Sequence, residues 1–302
     1  MCKKKRTACE FTVSIVVSLM ISILFYFPVA NAYASNASAF NAAVSSSTIS
    51  NEYGIYVGDL VNNIKSGNGT FTFVNGDVYT GAWANDLMSG TGTITYNNGD
   101  RYQGQFVDGK RNGQGRYEFV SGAYYDGEWS MDNADGDGVF ENDKDVEMDG
   151  TFDNNLFVDG TISGETSNAS FQFDYANQEI YYVYFDFDSG TSIYGDFIDE
   201  EFTGEGTCEY ANGAKYVGHY NNGKRSGTGK YTWANKAHYQ GKWAKDKMNG
   251  HGVYHYKKSV KPYLKGKFKN NKPKDTCTYV NKHGKSFRTF WKNGKCIEVT
   301  RK

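Results

Sequence analysis

An all-β fold, an elongated antiparallel sheet of tandem 23-residue β-hairpins, is what this sequence predicts, on three observations. Aromatic residues and glycines recur every 23 residues from Tyr56 almost to the last residue, and a period of that length belongs to stacked arrays of one small unit. Asn75-Gly76, Asn98-Gly99 and Asn212-Gly213 each stand between alternating aromatics, the strongest short-range signal for a tight hairpin turn. The apolar residues are rings more than aliphatic chains, with 24 Tyr, 20 Phe and 5 Trp, and the 35 Gly far outnumber the 3 Pro.

The elements follow in chain order. Lys3, Lys4, Lys5 and Arg6 precede an uncharged apolar run from Phe11 to Phe27, then Pro28 and the small-residue sites Ala30-Asn31-Ala32 and Ala32-Tyr33-Ala34. Residues 1–34 therefore read as a secretory signal peptide cut after Ala32 or Ala34. An uncleaved anchor is the other reading, because the apolar run approaches the shortest bilayer span. In either case the basic end stays inside and the rest faces outward, secreted or tethered outside the cytoplasm. Residues 35–55, rich in Ser, Asn and Ala, read as a flexible linker.

From residue 56 to 302 the units begin at Tyr56, Tyr79, Tyr102, Tyr125, Met148, Phe171, Ile193, Tyr216, Tyr239 and Leu264, with a half unit at Phe287 closing the array. In Tyr102-x-Gly104-x-Phe106 the named residues lie at i, i+2 and i+4, so on a strand they share one face. A glycine between two rings leaves room for aromatics to pack across it. After Gly113, the run Gly115-x-Tyr117-x-Phe119 repeats the arrangement, so each unit supplies two short strands. The same skeleton is carried by Tyr56 and Gly58, by Tyr79, Gly81 and Trp83, by Tyr216, Gly218, Gly227 and Gly229, and by Tyr239, Gly241 and Trp243. Two strands at about 4.8 Å each give about 10 Å per unit and a sheet on the order of 100 Å long. Stability then accumulates along the stack, each unit leaning on its neighbours.

This pattern resembles the MORN (membrane occupation and recognition nexus) repeat, whose consensus is close to YxGxWxxGxxxGxG followed by an aromatic pair and a turn glycine. The likeness is strong from 56 to 124 and from 193 to 256. It thins between 148 and 192, where Asp159 and Thr161 stand for the glycine pair of the fifth unit and the sixth keeps Phe171, Phe173 and Tyr175. In the tenth unit Asp275 and Cys277 take those glycine places. The resemblance implies a sheet that serves protein interaction, with phospholipid attachment in some members. Where such repeats accompany enzymes, the chemistry sits in an additional domain. There is no GxSxG here and no unrepeated region large enough for such a domain, so neither an enzyme nor a cofactor is expected.

Charge is segregated along the array. Tyr125 to Glu205 holds 22 Asp and Glu against Lys144 alone, and Lys215 to Lys302 holds 23 Lys and Arg against Asp246, Asp275 and Glu298. With centres several units apart, well beyond a Debye length of about 8 Å, the blocks act as separate patches. The second and fourth positions of a unit project away from the aromatic face. There stand Asp126 and Glu128 in the acidic block, and Lys242, Lys265 and Lys267 in the basic one. With the loop cations Lys224, Arg225 and Lys245 they form the candidate site for anionic headgroups or a wall polyanion. Solubility of a long aromatic sheet is the plainer use of surface charge.

Other motifs dissolve into the repeat. Gly104 to Arg111 and Gly218 to Arg225 imitate a phosphate-binding loop, but Arg stands where a magnesium-binding Ser or Thr is needed and no helix should follow. His251 and His255 are about 13 Å apart on a strand, too far to share zinc. Asn133-x-Asp135-x-Asp137-Gly138 imitates a calcium loop without its first Asp and with Lys144 in place of the bidentate Glu, so no metal site is expected. Cys208, Cys277 and Cys296 lie outside the leader that holds Cys2 and Cys9. Cys277 and Cys296, in adjacent units, form a disulfide or stay free.

The function expected is an exported, non-catalytic binding scaffold that presents one small contact many times. Its partner is a protein or an anionic lipid or wall polymer, with the basic C-terminal half favoured. Export removes nucleic acid from the partners expected. Two alternatives stand beside it. One is glycan binding through exposed rings, for which Tyr124-Tyr125 and Tyr181-Tyr182 are the candidates, whereas Tyr102, Phe106, Trp129 and Trp243 are expected to be buried. The other is head-to-tail self-association of acidic and basic ends.

Overall fold

A computed structural model of the protein describes residues 45–256 and 261–301. The expected leader and the first part of the expected linker lie outside the described residues. What is described is all-β, 23 strands with antiparallel partners and no helix. Two compact units divide near residue 165: the first holds 45–164 with 175–178, the second 165–174 with 179–301.

In the first unit run β1 (Ser45–Asn51), β2 (Gly54–Val61), β3 (Ile64–Phe73), β4 (Val78–Ala84), β5 (Leu87–Thr95) and β6 (Arg101–Val107). They continue as β7 (Lys110–Glu118), β8 (Tyr124–Ser130), β9 (Asn133–Glu141), β10 (Glu147–Asp153) and β11 (Leu156–Glu165). Each strand pairs with the next. The linker expected over 35–55 is corrected at its end: Ser45–Asn51 is a strand paired to β2. Ile49, the apolar residue of that strand, stands opposite Tyr56.

Across the division lies β12 (Ala169–Ala176). The second unit then runs through β13 (Glu179–Phe187), β14 (Thr191–Ile198), β15 (Glu201–Glu209), β16 (Lys215–Asn221), β17 (Lys224–Thr232) and β18 (His238–Ala244). It ends with β19 (Lys247–His255), β20 (Tyr263–Lys269), β21 (Lys272–Val280), β22 (Ser286–Lys292) and β23 (Lys295–Arg301). From β13 onward, each again pairs with its successor.

Two kinds of turn alternate, and the Asn-Gly signal marks the longer one. Gly76 N–H donates to Phe73 O at 3.0 Å and Phe73 N–H to Asp77 O at 2.8 Å, with Gly76 at φ 94°. That is a three-residue loop, a type I turn followed by a left-handed glycine. The tight two-residue turns lie inside the units, at pairs such as Asn85-Asp86 (φ 50° and 67°), both residues in the left-handed region that such a turn demands. Asn and Asp tolerate that region better than other side chains, so Asn85-Asp86 needs no glycine, whereas Asp108-Gly109, Asn222-Gly223 and Asn293-Gly294 use one at the second place.

Glycine has its more specific task in the strands. Gly81 pairs with Gly92, and the Tyr79 ring lies across the pair. A Cβ on Gly92 would run into the hydroxyl and ring carbons of Tyr79. Beyond Gly81 the register slips before Trp83, and Tyr79 Oη donates to the Ala82 carbonyl in that bulge at 2.9 Å. The device recurs at Tyr102 with Gln105 O, 3.0 Å, and at Tyr239 with Lys242 O, 3.1 Å.

In the tenth unit the second glycine of the pair and the ring are lost together. Leu264 replaces the tyrosine of the tenth unit, and Cys277 sits buried against Gly266 in the room the ring vacates. In the fifth unit Gly150 pairs with Gly160, not with Thr161, so the glycine partner lies one residue earlier than the repeat predicts.

The rings then interlock from unit to unit. Tyr79 meets Trp83 at 5.2 Å and Phe106 at 5.1 Å, and Tyr102 meets Phe106 at 5.2 Å and Trp129 at 5.2 Å, all edge to face. In the second unit Tyr216 touches Tyr220 and Trp243, and Tyr239 touches Trp243 and Phe268, in the same geometry. Each such pair adds about 0.5–1.5 kcal/mol beyond area burial. As expected, Tyr102, Phe106, Trp129 and Trp243 are buried.

A cation closes the ladder wherever the next unit offers a tryptophan with an aspartate three residues on. Arg111, on β7, lies over Trp129 at 4.2 Å and donates from Nη2 to Asp132 O at 2.7 Å. Arg225 lies over Trp243 at 4.9 Å and contacts Asp246. Lys65 lies over Trp83 at 4.6 Å, with its backbone N–H on Asp86 Oδ1 at 2.9 Å. Where the next unit has Phe106 and Gly109, the same place is filled by buried Met88.

Candidate binding faces

With the ladder on one side of the strands, the alternate residues form an outer face. In the second unit Lys242, Lys265 and Lys267 are exposed there. The register places His251 opposite Lys267 and Lys267 opposite Lys274, while Lys242 lies beside Gly250. Lys242, Lys267 and Lys274 make a cationic row on β18, β20 and β21. Lys242 also donates to Thr228 Oγ1 at 3.0 Å. Lys224 opens β17 and Lys245 sits in the turn after β18, both exposed at the turn edge and outside the row.

Arg225 does not belong with them. Its Nε and backbone N–H both donate to Asp246 Oδ1 at 3.0 Å, its Nη2 to Asp246 O at 3.0 Å, and its guanidinium covers Trp243. Sequence position suggested a free loop cation, but the three bonds and the ring make it an internal clasp. Asp132, likewise counted in the acidic block, is held by Arg111.

The disulfide reading is corrected too. Cys277 is buried and free, and Cys296 is exposed and free. Cys277 pairs with Thr289 on β22, and Cys296 stands opposite Trp291 on the far side of that strand. Two strand spacings, about 10 Å, separate them, beyond the roughly 7 Å that a bridge spans.

The histidines also sort differently. His238 and His255 stack at 4.3 Å on neighbouring strands, and burial, then His255 and Lys230, lower the pKa of His238. His251 stands opposite Lys267 on the outer face. Among the described residues, no group of three or more His, Cys, Asp or Glu is placed to hold a metal ion.

The first unit has a contrasting outer face. Asp126 and Glu128 are exposed, and Glu141 stands opposite Glu147. Arginines intrude: Arg101 reaches Glu118 at 3.5 Å, and Arg116 lies 3.7 Å over the Tyr124 ring and bonds Glu118 at 2.9 Å and Asp126 at 3.3 Å. Of the ring candidates, Tyr125 is buried in the ladder and Tyr124 is covered by Arg116. Tyr181 is exposed and Tyr182 half-buried. Sequence reading passed over Tyr184 and Tyr194, which lie nearly parallel at 5.8 Å on the outer face. Their sign in the sequence was parity, since Val183, Phe185 and Phe187 take the core face of β13.

Tandem hairpins locked by a ring over a glycine pair define a repeat array whose free face is available for contact. The MORN repeat family matches at 56–78, 79–101, 102–124, 125–143, 194–215, 216–237 and 239–259. Those spans make up half of the chain, which belongs to the MORN family. Repeats of this family are generally binding or scaffold modules. No curated protein matches the chain. A solved structure, the TCP domain of SAS-4 (dCPAP) in complex with a proline-rich motif of Ana2 (dSTIL) of Drosophila melanogaster, aligns over 90% of this chain and 100% of that one, with 11% identity and a TM-score of 0.17. At that score the likeness says nothing of this chain's fold or ligands.

Proposed function

We propose that the protein is a non-catalytic binding scaffold acting outside the cytoplasm, whose basic outer face in the second unit attaches to an anionic surface or polymer. The observation that carries this reading is the exposed set of Lys242, Lys267 and Lys274 on β18, β20 and β21. Like charges directly opposite on a sheet destabilise it, and Lys267 faces Lys274 with no carboxylate across the pairing. Asp275, 3.8 Å from Lys274 Nζ, is a weak exposed partner. A phosphate-bearing surface would supply the missing counter-charge to several strands at once, and small contacts would sum through effective concentration. The leader read in residues 1–34 supports the location.

The test is sedimentation of the protein with vesicles containing anionic phospholipid, or with a soluble phosphate polymer. Binding is expected to weaken steeply as salt rises, and the Lys265→Glu/Lys267→Glu variant should lose most of it. Equal retention by neutral vesicles, or unaltered retention of the double variant, would remove the electrostatic reading.

A further inference from the structure

We propose that the outer face of β13 and β14 is a receptor for arginine side chains of a partner protein. The argument is a comparison of two places on this chain's own surface. At Tyr124-x-Asp126 the tyrosine hydroxyl donates to Glu141 Oε2 on the next strand at 3.1 Å, and Arg116, directly opposite Asp126, lays its guanidinium on the ring. At Tyr194-x-Asp196 similar pieces return in another register: Tyr124 stands directly opposite Glu141, whereas Tyr194 stands opposite Thr207 and Asp196 lies in the bulge after Gly195. The Tyr194 hydroxyl reaches Glu209 Oε1 on the next strand at 3.4 Å, and Asp196 follows two residues on. The residue opposite Asp196, however, is Tyr182. The arginine's place is held by a second ring.

Around this gap the rings multiply instead of the cations. Tyr184 stands opposite Tyr194, and the two rings lie 27° from parallel with Tyr184 38% exposed. Asp186, exposed, follows Tyr184 by two residues. Lys215 is the nearby cation, but it bonds Glu209 at 2.6 Å, at the hydroxyl edge of Tyr194. Among the described residues no cation lies over the Tyr184 or Tyr194 ring. One Asp196 oxygen accepts from Glu205 N–H at 2.8 Å, which fixes the carboxylate beside the rings.

Flat rings flanked by carboxylates suit a guanidinium better than an ammonium. Arginine stacks on aromatic faces while its in-plane N–H groups reach carboxylates, and lysine offers a hydrated point charge. The surplus of acid over base from Tyr125 to Glu205 would draw such a basic segment in.

The experiment titrates a six-arginine peptide and a six-lysine peptide into the full chain by calorimetry at physiological salt. The arginine peptide is expected to bind about five-fold more tightly. Tyr194→Ser and Tyr184→Ser should each abolish that preference, Tyr194→Phe should keep it because the ring remains, and Asp196→Asn should weaken both peptides. Thermal melting checks that each variant is folded. Equal binding of the two peptides, or a preference that survives both serine variants, would overturn the proposal by reducing the site to general acidity. Tighter binding of an amino-sugar oligomer than of the arginine peptide would overturn it in favour of a saccharide site.

Discussion

The buried clasp between Arg111 and Asp132 can be broken from one side, and the structure sets the size of the loss. Asp132 Oδ1 accepts from Arg111 N–H at 3.0 Å and from its Nε at 3.3 Å, and the two side chains are 9% and 2% exposed. Asp132→Ala would leave a guanidinium and a backbone N–H buried without that carboxylate, a loss of about 3–5 kcal/mol. The same change at Asp246 acts on a clasp whose partners are 34% and 19% exposed. Water can reach those groups, and the loss should be about 1–2 kcal/mol. Urea denaturation followed by tryptophan fluorescence reports both, since Trp129 and Trp243 lie under the two arginines. Replacing the whole first clasp with the apolar set the chain already uses at Met88, Phe106 and Gly109 tests the cause. The variant Arg111→Met/Trp129→Phe/Asp132→Gly should regain most of what Asp132→Ala loses, because no charge is then stranded. A loss below about 1 kcal/mol for Asp132→Ala, or equal losses at the two sites, would refute the reasoning from burial.

Gly92→Ala should destabilise by about 1–3 kcal/mol by pressing on the Tyr79 ring, and Tyr79→Leu should relieve part of that loss, as Leu264 does beside Cys277; no relief in the double variant would count against the ring-over-glycine account. Burial pushes the pKa of Tyr56 and Tyr239 up to about 12, while an unfolded phenol ionises near 10. Their support is therefore complete below pH 10 and falls away as pH climbs from 10 towards 12. Circular dichroism and phenolate absorbance should change together in that window, and ionisation without loss of structure would contradict it. Oxidation should leave Cys277 and Cys296 unbridged, so an intramolecular disulfide found by mass spectrometry in the folded protein would show the strand order to be wrong there. Arg225→Ala should lower stability with little direct effect on vesicle binding, opposite to Lys267→Glu, and thermal melting with sedimentation separates the two.

Much of the fold was written into residue spacing. The 23-residue step and the i, i+2, i+4 placement of Tyr102, Gly104 and Phe106 force one face of each strand to be aromatic, and the structure buries that face. Exposure of Lys242, Lys265 and Lys267 followed from the same alternation. Turn type was harder to read, because Asn-Gly fits both a two-residue turn and the second half of a three-residue one. Which it is depends on the strand register, and Gly76 alone of its pair takes positive φ.

What spacing could not supply was the identity of neighbours from other repeats. Arg225 looked like Lys224, a loop cation, until the fold brought Asp246 and Trp243 from the next unit against it; its partner lies 21 residues away and appears only once the strands pair. Cys277 and Cys296 were neighbours by unit but have a strand between them. The sequence by itself determined the hairpin, its period, its two faces and the segregation of charge, because these follow from alternation within a strand. Tertiary structure decided which charges are spent inside and which remain for a ligand, because an ion pair or a ring contact depends on distances between strands that no single repeat contains.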